Sequence, residues 1–185
     1  MTRSPEKPQE YRPRFRRALQ RLIIETCNAR NVLAAIGAME NEFSSNLFIQ
    51  VVPSALQADL QIRLIRILDE SRDTSSFWYL CRCEPRKVAL NIDLAKLRKF
   101  SARLKKVRDK VFVHIDKAAV FDPRAIYEEA DIKGSEIVET VENVWRVLNR
   151  LYKEYEGKTF WPATQVAFKS LCLDFRRDFL SLFKV

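Results

Sequence analysis

Apolar side chains recur at spacings of three and four residues along most of the 185-residue chain, a pattern typical of amphipathic helices. A first stripe predicts a helix from Arg14 to about Gln50, with a kink at Gly37. Its inward positions are Phe15, Leu19, Leu22, Ile23, Thr26, Ala29, Leu33 and Ile36. A second helix is expected to open at Pro53 and to end before the polar segment 69–76.

The middle of the chain predicts a short helix through Phe77, Trp78 and Leu80, followed by a long one. Asn91 or Asp93 can cap this long helix, which begins near Ile92. Its apolar stripe is Leu94, Leu97, Phe100, Leu104, Val107, Val111 and His114. The run 111–115 has strand propensity. Because the stripe passes through this run in phase, we expect it to continue the helix.

Two more helices are predicted, one from about Ser135 that Gly157 terminates and one over 163–182. The first of them places Ile137, Val141, Val144, Trp145, Leu148, Leu151 and Tyr152 inward. Helices joined by short connections predict an all-α fold, an antiparallel helical bundle. We expect one domain over residues 14–185, preceded by a loose basic arm over residues 1–13, which contain three prolines.

Composition narrows the class of protein further. Only 3 residues are glycine, which disfavours sheet-rich folds and glycine-rich phosphate loops. No signal peptide and no apolar run of about 20 residues is visible, so we expect a soluble, cytoplasmic protein without membrane contact. The four cysteines form no Cys-x-x-Cys pair, and the single histidine cannot complete a zinc site with them. We therefore expect reduced thiols, no metal and no cofactor.

The net charge of +9 favours polyanion partners, and the charge is unevenly distributed. Eight basic residues and one acid lie from Lys96 to Lys110, whereas seven acids and two bases lie from Asp122 to Glu142. Two explanations fit this pattern. The two segments form complementary faces of neighbouring helices, or the basic helix binds a polyanion.

The only histidine closes the segment Arg108-Asp-Lys-Val-Phe-Val-His114. An Arg, five intervening residues and a His at the end of a basic helix, followed by the acidic Asp116, resemble the defining motif of the HEPN superfamily. The likeness is closest to its abortive-infection branch. Asp69 with Arg72, after the second predicted helix, also looks like that branch. By helix order the resemblance covers roughly residues 14–182, although its specific content is the one motif.

This resemblance implies a metal-independent endoribonuclease of toxin or phage-defence type whose subunits dimerise with their motifs facing each other. His114 is then the acid/base group, Arg108 stabilises the phosphorane, and Asp109 orients or tunes them. Some members carry Tyr two residues after the His, where a partner nucleotidyltransferase modifies it. Because Asp116 stands at that position, regulation by such a modification is not expected here.

Helix geometry favours a site formed by two subunits, independently of the family resemblance. On an ideal α-helix Arg108 and His114 lie about 120° apart around the axis and about 9 Å apart along it. One subunit cannot easily focus both on one phosphate, but two antiparallel copies across a two-fold axis can pair the Arg of one with the His of the other. We therefore expect a homodimer. Lys105, Lys106, Lys110 and Arg103 are expected to bind the RNA backbone.

RNA carries its own nucleophile, the 2′-hydroxyl, so a base, an acid and cations around the phosphate suffice for cleavage. We expect RNA as the substrate and a cognate antitoxin as a protein partner. Other hypotheses stay open. The domain could be an inactive relative that binds nucleic acid or scaffolds a partner, or a DNA-binding regulator. His114 could also be a core histidine and Arg108 a solvated surface charge.

Overall fold

The computed structural model describes residues 8–39, 47–89, 92–113, 128–158, 160, 174 and 177. Its helices are α1 (Pro8–Met39), α2 (Leu47–Ile67), α3 (Phe77–Cys83), α4 (Pro85–Ala89), α5 (Leu94–Val107) and α6 (Gly134–Glu156). A π-helical segment, Arg108–Val113, continues α5. No strand occurs within these ranges, so the all-α prediction is confirmed for the part of the chain that the structure describes.

Two helices begin earlier than predicted, and the first also ends earlier, at Met39 instead of near Gln50, because residues 47–50 belong to α2. The first helix starts at Pro8 instead of near Arg14, and α2 starts at Leu47 instead of at Pro53. Pro13 and Pro53 consequently lie inside their helices, as the sixth and seventh residues. A proline removes one backbone donor, and in the second turn this costs a single hydrogen bond next to a terminus whose first four donors have no intrahelical partner in any case.

Ion pairs between α1 and α6 reveal how the long helices run. Arg16 pairs with Glu156, and Arg30 pairs with Glu142 at 2.6 Å. Moving 14 residues forward in α1 therefore moves the partner 14 residues backward in α6, which makes the two helices antiparallel. The first helix also packs along α2. The antiparallel packing is thus shown for α1 and α6.

The core lies between the apolar faces of α1, α2, α3, α5 and α6. Most of the predicted inward positions are buried, among them Phe15, Leu19, Leu22, Ile23 and Ala29 in α1, Leu97, Phe100, Leu104 and Val107 in α5, and Val141, Val144, Trp145, Leu148, Leu151 and Tyr152 in α6. The carboxylate of Asp93 caps α5 by accepting from the backbone N–H of Ala95 at 2.9 Å and of Lys96 at 3.0 Å. Of the two predicted caps, Asp93 is thus the one used.

Several predictions fall on residues outside the described ranges. These are the last helix over 163–182, the first seven residues of the basic arm, and the segment 114–127 with His114. No described helix is long and apolar enough to cross a lipid bilayer.

Gly157 ends α6 in a conformation that favours glycine, and a substitution can test this role. Gly157 has φ 68°, the left-handed conformation, as its C-cap. We expect Gly157→Ala to lower the free energy of unfolding by about 1 kcal/mol, because a Cβ disfavours this conformation. Gly134→Ala is the matched control, because a Cβ at either glycine meets no atom within 4 Å and only Gly157 has a positive φ. Urea unfolding that shows the same change for both variants would contradict this explanation.

Candidate functional site

The candidate motif begins where the long helix changes its geometry. The chain is α-helical up to Val107 and π-helical from Arg108 to Val113. Residues 111–113 therefore continue the helix as expected, although with the hydrogen-bonding pattern of a π-helix. Short π-helical turns occur frequently at functional sites.

The π-helical geometry also removes the basis of the calculation made for an ideal α-helix. Each residue of a π-helix advances the chain by a smaller angle around the helix axis than a residue of an α-helix does. The angle of about 120° between Arg108 and His114 consequently does not apply. His114 itself lies immediately outside the described residues.

Arg108 and Asp109 form an ion pair. The Nε of Arg108 donates to Oδ1 of Asp109 at 2.8 Å, and Nη2 lies 2.7 Å from the same oxygen. Both side chains are partly exposed. The carboxylate therefore restricts the orientation of the guanidinium while leaving it accessible to a ligand.

A groove of about 660 Å³ lies beside Arg108, between α5 and the segment that follows α2. Lys105 and Arg108 line it from the basic helix, and Asp69, Glu70 and Ser71 line it from the other segment. Its volume falls in the range of about 300–1,000 Å³ that small-molecule sites occupy. Of the two residues after α2 that carry the family resemblance, Asp69 lines this groove and Arg72 does not.

The segment after α2 is held against the bundle by hydrogen bonds. The carbonyl oxygen of Leu68 accepts from the indole Nε1 of Trp78 at 2.9 Å and from the hydroxyl of Ser101 at 3.0 Å. One residue further on, Oδ1 of Asp69 accepts from the backbone N–H of Ser71 at 3.0 Å. The groove wall is thus tied to α3 and to the basic helix.

One face of α5 and its π-helical extension is neutralised by the acidic segment 128–142. The pairs are Lys96–Glu139 at 2.6 Å, Arg103–Glu136, and Lys110–Glu129 at 2.7 Å. The basic partners recur every seven residues, so they lie on one side of the helix. For this face of α5, the first of the two explanations is confirmed: the basic and the acidic segment form complementary faces. Arg103 and Lys110, two of the predicted RNA-binding residues, lie in these pairs.

The other basic side chains of α5 are not neutralised in this way. Lys99, Lys105 and Lys106 are exposed and form no ion pair in the part of the chain that the structure describes. Arg98 stacks its guanidinium over Trp78, 5.4 Å from the ring centroid. The helix therefore has a second, cationic face, of which Lys105 reaches the groove.

Two of the three described thiols, Cys27 and Cys81, are poor candidates for a nucleophile. Burial raises the pKa of Cys81 to about 12, and it also raises the pKa of Cys27 above its ordinary value. The thiolate is the reactive form of cysteine. Both groups consequently stay protonated near pH 7.

One buried charged residue, Arg30, was not predicted from the sequence. Arg30 is 3% exposed, donates to Glu142 at 2.6 Å, and lies 5.6 Å from the centre of the Trp145 ring. Its position four residues after Thr26, on the inward stripe of α1, could have indicated that it is buried. Arg30 lies between α1 and α6 and stabilises their packing rather than lining the groove.

Comparisons with known proteins find no match for this chain among protein families, curated proteins or solved structures. Any assignment of function therefore rests on its residues and their geometry.

Proposed function

We propose that the protein is a metal-independent endoribonuclease of toxin or phage-defence type, with a HEPN-like fold. The observation that carries this proposal is the junction at Arg108. There the cationic face of α5 meets a groove, and the helix becomes π-helical where the Arg108–His114 motif begins. A phosphate-binding cation, a following proton-transfer residue and a basic approach surface are what RNA cleavage requires.

In this mechanism the 2′-oxygen of the RNA attacks the adjacent phosphorus, and the bond from phosphorus to the 5′-oxygen breaks. His114 removes the 2′-hydroxyl proton and supplies a proton to the leaving oxygen, since an imidazole titrates near neutral pH. Arg108 stabilises the charge that develops on the phosphorane. Asp109 orients Arg108 through the 2.8 Å contact. The products are a 2′,3′-cyclic phosphate and a 5′-hydroxyl.

The proposal includes a homodimer in which Arg108 of one subunit and His114 of the other act on the same phosphate. An isologous interface creates this arrangement from a single sequence. Lys105 and Lys106 hold the RNA backbone, whereas Arg103 and Lys110 contribute less because acids already pair with them. A ribonuclease in the cytoplasm requires restraint, so a cognate antitoxin protein is part of the proposal.

The decisive experiment incubates the purified protein with end-labelled single-stranded RNA in EDTA. We expect fragments that end in a 2′,3′-cyclic phosphate or in its hydrolysis product. DNA of the same sequence should stay intact, because it lacks the attacking hydroxyl. Intact RNA across several sequences would contradict the proposal.

A second candidate function is an inactive nucleic-acid-binding module. The exposed Lys99, Lys105 and Lys106 favour it, since a cationic face binds a phosphate backbone without any catalytic group. Salt-sensitive RNA binding without cleavage by the wild-type protein would select this function over the first.

Both candidate functions predict which lysines bind RNA. We expect Lys105→Ala and Lys106→Ala each to reduce the slope of log K against log salt concentration by about 0.7, the value for one phosphate contact on a single strand. Lys96→Ala on the same helix is the matched control, because Lys96 is paired with Glu139 at 2.6 Å. Titrations at several salt concentrations measure the slopes. Equal changes in all three variants would show that the two faces of α5 do not differ in RNA binding.

A further inference from the structure

We propose that the groove between α5 and the segment after α2 binds a guanine nucleotide of the RNA, and that Asp69 selects its base. This inference deepens the proposed function. It rests on that function for the statement that the bound nucleotide is part of an RNA. It makes the protein a ribonuclease that selects a guanine next to the phosphate it cleaves.

The groove combines charges of both signs in one space of about 660 Å³. Lys105 and Arg108 supply cations, and Asp69 and Glu70 supply carboxylates. A complementary ligand therefore needs an anionic group together with N–H donors. A nucleotide has both, because its phosphate is anionic and each of the four RNA bases carries at least one N–H group on its Watson–Crick edge.

The cationic part of the groove has donors available for a phosphate. Lys105 forms no ion pair in the part of the chain that the structure describes. Arg108 contacts Asp109 through Nε and Nη2, which leaves the donors on Nη1 outside that contact. Because a guanidinium can hold phosphate oxygens with several donors at once, Arg108 can bind Asp109 and a phosphate together.

The carboxylate of Asp69 decides which base fits. Its side chain is half-buried, and Oδ1 already accepts from the backbone N–H of Ser71 at 3.0 Å. A carboxylate has about four acceptor positions, so this contact orients it and leaves acceptor capacity for a ligand. Guanine is the base that presents two adjacent donor groups, N1–H and the N2 amino group, to a pair of carboxylate oxygens. Adenine and cytosine present one amino group and uracil one N–H.

Apolar atoms in the groove suit the ring of an unstacked base. The buried Leu68 and Leu104 and the half-buried Ile65 line it. Sequence-specific RNA recognition uses such extruded bases, read along their Watson–Crick edge. The two hydrogen bonds to the carbonyl of Leu68 hold Asp69 beside this surface, so the carboxylate is positioned before the base arrives.

The test titrates 5′-GMP, 5′-AMP, 5′-CMP and 5′-UMP into the full chain by calorimetry. We expect 5′-GMP to bind at least about tenfold more tightly than the other three, the discrimination typical of a bidentate contact to one base. Asp69→Asn should abolish this preference, because an amide replaces one acceptor by a donor. Asp73→Asn is the matched control, an exposed acid of the same segment that does not line the groove.

Lys105→Ala should weaken all four nucleotides alike, because it acts on the phosphate. Circular dichroism verifies that each variant is folded. Glu70→Gln removes a second, exposed carboxylate that lines the groove and attracts N–H donors, so it should lower the preference for 5′-GMP by a smaller factor even if Asp69→Asn fails to fold. Equal binding of the four nucleotides by the wild type, or a preference for 5′-GMP that stays unchanged in Asp69→Asn and in Glu70→Gln, would overturn the inference.

RNA cleavage separates this inference from the proposed function. Cleavage in EDTA without any preference for guanine, together with equal mononucleotide binding, overturns the guanine site and leaves the ribonuclease intact. A preference for 5′-GMP that depends on Asp69, without cleavage of any RNA, supports the guanine site and overturns the ribonuclease.

Discussion

Replacing His114 with alanine is expected to slow RNA cleavage by about 10²–10⁴-fold, the usual contribution of general acid–base catalysis. RNA binding should change little, because the cationic face of α5 is unaltered. Arg108→Ala should reduce cleavage comparably, since it removes the cation that stabilises the phosphorane. Single-turnover cleavage of labelled RNA, compared with binding under the same conditions, separates the two effects.

Mixing the two inactive variants tests the composite site. In a mixed dimer of Arg108→Ala and His114→Ala, one of the two sites combines an intact Arg108 with an intact His114. Random exchange makes half of the dimers mixed, so about one quarter of the wild-type activity should return. Sedimentation at micromolar concentration establishes that both variants are dimers. Full cleavage by a folded His114→Ala protein would contradict its catalytic role, and failure of the mixture would contradict the shared site.

Arg30→Ala should destabilise the fold strongly, with a loss of about 3–5 kcal/mol in the free energy of unfolding. Arg30 is 3% exposed, bonded to Glu142 and placed over the ring of Trp145. The alanine variant loses the ion pair, the cation–π contact and the packing of the aliphatic stem. The midpoint of urea unfolding measures the change, provided that the slope of the transition stays the same.

Arg16→Ala provides a matched control for this prediction. Arg16 also lies on α1 and pairs with a glutamate of α6, but its side chain is 61% exposed. The partner carboxylate of Glu156 is 6% exposed, so we expect a loss that is smaller than for Arg30→Ala, because water and salt screen the exposed guanidinium. Similar losses in the two variants would show that the burial of Arg30 does not determine its contribution.

The helices themselves could be predicted because their signals are local. The stripes of α1, α5 and α6, the Asp93 cap and the Gly157 terminus depend on residues within a few positions of each other. Helix starts were predicted less well. Pro13 and Pro53 are typical of first turns, yet preceding residues extend both helices to Pro8 and Leu47. The π-helical segment was missed because an apolar stripe does not distinguish the two helix types over six residues.

Only those parts of the candidate site that lie close together in the sequence could be predicted. The motif residues and the basic helix stand out in the sequence, but the pairing of Arg103 with Glu136 joins residues 33 positions apart. The groove likewise brings Asp69 to Arg108 across α3 and α4, which only the packed bundle reveals. Arg30 was missed because arginine is ordinarily assigned to the surface, and its burial depends on partners in α6.

The π-helical segment also affects how the motif tolerates changes in length. A π turn holds more residues than an α turn, so it is equivalent to an insertion that the helix has absorbed without breaking. Removing one residue from Arg108–Val113 can convert the segment to regular α-helix, and the chain beyond it then rotates relative to Arg108. The direction in which the chain leaves Val113 therefore depends on the hydrogen-bonding pattern as well as on the number of residues in the segment.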